Sequence, residues 1–82
     1  MNLQEALDWI AGVFGEPAGQ LTATTASSEI AGWDSLGTLM LLAELDEKFS
    51  LHIDEAEIYG LKGVGDILAL LERAGVLVVA AH

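Results

Sequence analysis

Residues 35–49, SLGTLMLLAELDEKF, decide how this chain folds. Set on a helix at about 100° per residue, Leu41, Leu42, Leu45 and Phe49 gather on one side, a stripe wide enough to face a core. Leu36, Leu39, Met40 and Ala43 fall on roughly the opposite side. The core of one small bundle cannot accept both sides. One apolar strip is therefore expected at the surface beside Ser35, rimmed by Glu44, Asp46 and Glu47. Apolar surface with a charged rim is the usual anatomy of a protein-contact face.

The flanking sequence supplies partners for the inward stripe. Asn2 followed by Glu5 has the spacing of a capping box, and Leu3, Ala6, Leu7, Ile10, Val13 and Phe14 follow at helical intervals until Gly15 and Pro17. Residues 15–33 are rich in Gly, Pro, Ser and Thr and read as a long loop that Leu21 and Ile30 pin to the core, a length that points either to a functional segment or to an element that the spacing does not reveal. After Ser50–Ile53, Asp54 with Glu57 three residues on starts a short third helix that ends near Gly60. Val64, Ile67, Leu68 and Leu71 mark a fourth, closed by Gly75. Val76–Val79 is apolar and β-branched and either packs on the bundle or frays. The expectation is an all-α fold spanning 1–82 as one domain, a small four-helix bundle with three main helices, one short helix and a 76–82 tail.

Composition narrows the function. An 82-residue chain suits one small domain. Hydrophobic residues make up 52% of it, which argues against disorder. No run reaches the roughly 18–20 apolar residues of a membrane span, and no basic stretch precedes an apolar one at the start, so a cytoplasmic protein is expected. Thirteen Asp/Glu against three Lys/Arg give a formal net charge of −10. Such a surface repels nucleic acid and anionic lipid and steers basic protein patches toward itself. There is no cysteine, so any thiol chemistry must come from a cofactor.

Ser35 is the candidate functional residue, with three readings. Either Asp34 or Ser35 can cap the helix by accepting backbone N–H bonds. A nucleophile would need a base, and only His52 and His82 are available; His52 lies beyond the far end of the helix, roughly 20 Å away at 1.5 Å per residue, and the G-x-S-x-G elbow is missing. A hydrolase is therefore not expected. The third reading makes Ser35 an attachment point: a phosphoryl group at a helix N-terminus is favoured by free N–H groups and the helix dipole.

The stretch GWDSLGTLMLLAELDEKFSLHIDEAEI, residues 32–58, resembles the acyl carrier proteins and related phosphopantetheine-binding carriers. D-S-L alone is a weak signal; joined to this length, acidity, long loop, the Leu45-x-x-x-Phe49 pattern and VGDILALLE at 64–72 it is a strong one. The resemblance implies a four-helix carrier fold and a 4′-phosphopantetheine on Ser35, transferred from coenzyme A by a phosphopantetheinyl transferase. The arm's thiol would hold acyl groups as thioesters, which accounts for a thiol-handling chain without cysteine. Asp34 and Leu36 would be recognition residues, and Leu39, Met40, Ala43, Glu44 and Glu47 would complete the docking face. The core of Leu42, Leu45, Phe49, Ile53, Ile58, Leu61, Ile67, Leu68 and Leu71 would open to shelter an acyl chain. Partners would be the transferase, an acyl- or aminoacyl-loading ligase and downstream acyl-transfer or synthase enzymes with basic or apolar patches. A non-catalytic monomer is expected.

Many fatty-acid carriers have acids two and five positions after the serine, where this chain has Gly37 and Met40. That departure implies a more apolar docking face and a specialised lipid or secondary-metabolite pathway. Alternatives are an aminoacyl or peptidyl carrier, against which the missing G-G-[HD]-S-L context argues, and an acidic helical adaptor in which Ser35 only caps. Asp54, Glu55 and Glu57 near His52 lack the spacing of a calcium loop and read as a solvated helix start rather than a metal site. Trp33 is either an anchor for the loop or a contact for the arm or a partner.

Overall fold

The computed structural model describes residues 1–78, and the expectations for Val79 and the rest of the tail lie outside the described residues. Four α-helices follow in order: α1 Leu3–Phe14, α2 Ser35–Phe49, α3 Glu55–Tyr59 and α4 Val64–Arg73. Among the described residues there is no β-strand, only one antiparallel bridge between Ala26 and Gly63.

The helix ends follow from their residues. The Asn2 side chain accepts from Glu5 N at 2.8 Å and the Glu5 carboxylate accepts from Asn2 N at 2.9 Å, the reciprocal capping box. Gly15, with φ 72°, ends α1 in the left-handed region that suits glycine. At α3 the boundary holds but its expected cap does not form: Asp54 sits at the N-cap position without a side-chain bond. A five-residue helix is held instead by Ile58, which is buried in the core.

The long loop is more ordered than its composition suggests. It contains a 3-10 turn at Ser27–Glu29, whose Glu29 carboxylate accepts from Ala26 N at 2.8 Å. Ser27 N donates to Lys62 O and Val64 N to Thr25 O, both at 2.9 Å, which ties the loop to the α3–α4 connection. Leu21 and Ile30 are buried as expected.

One core joins the four helices. Ala6, Ile10 and Phe14 meet Leu41 and Leu45, with Ile58, Val64, Ile67, Leu68 and Leu71 from the second half. Each such Val, Leu, Ile or Phe side chain contributes about 1.5–3 kcal/mol relative to exposure. Leu42, Phe49, Ile53 and Leu61, expected in this core, pack at its edge and remain half-buried. The tail packs rather than frays as far as Val78: Leu77 is buried, the Met1 ammonium donates to Val76 O at 2.7 Å, and Val78 N donates to Met1 O at 2.9 Å.

Candidate functional site

The site is built around the first turn of α2. Asp34 has an extended backbone (φ −121°, ψ −166°) and its Oδ1 accepts from Gly37 N at 2.8 Å. Its carbonyl accepts from both Thr38 N and Thr38 Oγ1, each at 2.8 Å. Of the two capping candidates, Asp34 therefore holds the N-cap position, and Ser35 is the first residue inside the helix. Ser35 is exposed, and among the described residues its hydroxyl has no hydrogen-bond partner. The N–H groups of Ser35 and Leu36 lie in the turn that no helical carbonyl can serve.

The segment leading into this turn is clamped between α1 and α2. Trp33 N donates to Ile30 O at 3.1 Å, and its half-buried ring stacks on Phe14 of α1, with centroids 4.7 Å apart and planes 13° from parallel. Such a pair adds about 0.5–1.5 kcal/mol beyond the area it buries. Beneath it the backbones touch: a Cβ on Gly32 would meet Phe14 O at 2.0 Å, and a Cβ on Gly37 would meet Gly32 O at 2.0 Å. The chain is therefore restricted to glycine at both positions by close packing of three backbone segments. Gly37, read from sequence as a missing acid on a docking face, is buried. The repeated glycine in GWDSLG was the only trace of this seam in the sequence.

The outward strip of α2 is where the helical wheel places it. Leu36 is 67% exposed, Leu39 and Met40 are each 48% exposed, and Ala43 is exposed, while Leu41 and Leu45 across the helix are fully buried. Glu47 is exposed at the end of the strip. Glu44 faces elsewhere: it is half-buried and accepts from Trp9 Nε1 at 3.3 Å, beside the edge-to-face contact of Trp9 with Phe49 at 5.1 Å. Asp46 pairs with His52 Nδ1 at 3.1 Å, both side chains largely exposed. At 1.5 Å per residue this pair stands about 16 Å along α2 from Ser35, out of reach as a base for its hydroxyl. An open cleft of about 360 Å³ lies beside the pair, with Leu42, Leu51 and Ile53 as its apolar walls.

A free serine hydroxyl on a capped helix N-terminus, next to an apolar strip, suits covalent attachment of a phosphate-linked group. Ser35 can accept it without losing the cap, and the first-turn N–H groups and the helix dipole favour its negative charge.

Comparison with known proteins agrees with this arrangement. Residues 4–71 match the family model described as "Phosphopantetheine attachment site". An acyl carrier protein of Exiguobacterium sibiricum is 31% identical over 72 residues, covering 88% of this chain and 87% of that protein. An acyl carrier protein of another Exiguobacterium strain is 29% identical over 72 residues. The solution NMR structure of a holo acyl carrier protein from Geobacter metallireducens superposes with a TM-score of 0.70 at 30% identity, covering 87% of this chain and 83% of that one. Fold and site thus define a phosphopantetheine carrier, and the chain belongs to the acyl carrier protein family. The prosthetic group of that family, 4′-phosphopantetheine, is the cofactor expected from the sequence.

Proposed function

We propose that this chain carries its phosphopantetheine on Ser35 and shuttles acyl groups as thioesters between partner enzymes of a specialised lipid or secondary-metabolite pathway. The observation that carries this reading is the division of labour at the helix start. Asp34 caps, so the exposed Ser35 hydroxyl is free for chemistry. In the transfer, the Ser35 oxygen bonds to phosphorus of the coenzyme A pyrophosphate, its proton leaves to a base on the transferase, and adenosine 3′,5′-bisphosphate departs. The attached thiol then supplies the thioester chemistry that a cysteine-free polypeptide lacks.

Docking is assigned to Leu36, Leu39, Met40 and Ala43, with Glu47 at the rim and Asp34 beside the serine. Glu44, turned toward Trp9, stands at the margin of this face. The overall charge of −10 steers basic surfaces toward the molecule, and the strip itself favours apolar contact once they meet. Transferase, loading ligase and acyl-transfer enzymes are the partners this face serves, and the chain performs no catalysis of its own. A cytoplasmic site of action follows from those partners; no helix among the described residues is long and apolar enough to cross a membrane.

The test is intact mass after incubation of the unmodified protein with coenzyme A and a broad-specificity phosphopantetheinyl transferase. Wild type should gain one phosphopantetheinyl group and Ser35→Ala none. No gain by wild type sinks the carrier reading and leaves the acidic adaptor; a gain that survives Ser35→Ala moves the site elsewhere.

A further inference from the structure

We propose that Trp33 is a positioning residue for the modification of Ser35, acting through its stack on Phe14; the proposal rests on Ser35 being the attachment point. The residue before an N-cap commonly packs against the fourth residue of its own helix and so fixes the entry of the chain locally. Here that fourth residue is Thr38, small and buried, with its hydroxyl committed to the Asp34 carbonyl. Trp33 lies on Phe14 instead, at 4.7 Å and 13°. The entry to α2 is thus fastened to another helix, at the last residue of α1.

Besides the stack, the turn is held by the Asp34 cap and by the seam at Gly32 and Gly37. Ser35 and Leu36 are exposed, and the first inward contact of α2 is the seam at Gly37. Helix ends open locally at low cost when few buried contacts restrain them. Transfer needs the Ser35 oxygen in line with a phosphorus atom at bonding distance, and a displacement of about 1 Å can cost on the order of 100-fold in rate. Trp33 is joined directly to the capping residue, so its anchorage sets where Asp34, and with it the Ser35 hydroxyl, comes to rest. Leu39, Met40 and Ala43, which carry most of the docking strip, lie one to two turns further along α2. Loss of the stack should therefore lower the rate of transfer within the complex more than it weakens the complex, of whose docking residues only Asp34 and Leu36 lie in the displaced turn.

The experiment measures steady-state transfer from coenzyme A by a broad-specificity transferase to unmodified wild type, Trp33→Ala and Trp33→Phe. Far-UV circular dichroism checks helix content in each. Trp33→Ala is expected to lower kcat about tenfold with KM within twofold of wild type, and Trp33→Phe, which keeps a ring over Phe14, to stay within twofold in both. Amide exchange at Gly37 and Thr38 should quicken about tenfold in Trp33→Ala. Should Trp33→Ala fail to fold, Trp33→Leu, which keeps an apolar side chain without a flat ring, is expected to show the same fall in kcat. Wild-type kcat in the stack-less variant overturns the proposal, as does a loss that merely tracks the folded fraction or an equal loss in Trp33→Phe. Wild type that takes up no group overturns the attachment reading itself, and positioning with it.

Discussion

Two glycines in helices make opposite demands on a side chain. Gly12, inside α1, has open space where a Cβ would stand, whereas Gly37, inside α2, has the Gly32 carbonyl there at 2.0 Å. Alanine is favoured over glycine in a helix interior by about 1 kcal/mol. Gly12→Ala should therefore raise stability by roughly 0.5–1 kcal/mol. In Gly37→Ala the collision is with backbone, which cannot swing aside, and a net loss of about 1–3 kcal/mol is expected. Urea denaturation of both variants checks the pair, and a Gly37→Ala protein more stable than wild type would refute the seam. The same contact gives a structural reason why residue 37 carries no acid: a side chain there would have to displace the loop above it. Sequence reading saw only the missing charge, because the constraint comes from residues 14 and 32, which periodicity along one helix cannot bring together.

Among the elements, α2 was the most legible. Its limits, Ser35–Phe49, and its two apolar sides emerge from spacing alone, since a 3.6-residue period is a local property. The side facing each neighbour was less legible. Glu44 lies about 80° from Leu36 on an ideal wheel, between the two strips, and only the presence of Trp9 draws it toward α1. Likewise α3 could be placed by its acidic start, yet its stability comes from burial of Ile58 and not from the cap that pattern implied. The long loop was read as a loop but not as an ordered one: its 3-10 turn is closed locally, and its bonds to the α3–α4 connection join residues more than thirty positions apart. The two-sided helix yields a direct comparison. Leu45→Ala, at a fully buried position, should cost about 2–5 kcal/mol. Met40→Ala, on the exposed strip, should stay within about 0.5 kcal/mol of wild type. Thermal and urea unfolding measure both; equal losses would mean that the strip is structural rather than presented.

For the molecule as a whole, charge works against compactness. A net charge of −10 is distributed over 82 residues, and among the described residues only two side-chain contacts bring an acid to a basic group, Arg73 with Glu57 at 2.8 Å and His52 with Asp46 at 3.1 Å. Both are exposed, so their contribution is small and screening them removes little. Added salt should mainly quiet the mutual repulsion of the carboxylates. The melting temperature is thus expected to rise between about 0.02 and 0.5 M sodium chloride, the Debye length falling from tens of ångströms to a few. A fall over that range in differential scanning calorimetry would show that attraction, not repulsion, dominates the surface. Family membership was legible at this scale because it is written in one contiguous stretch; the pathway is not, because cargo and partners are chosen by surfaces on other molecules.

The pairing of Met1 with Val76 and Val78 has a practical consequence. It gathers the beginning of the chain and its last described residues at the start of α1, while Ser35 sits by Phe14 at the other end, about 18 Å away along twelve residues of helix. Load entering through Met1 or Val78 is therefore borne at the pole opposite Ser35. A tag, a solid support or a fused neighbour could hold this protein by that handle without crowding the proposed attachment site at Ser35.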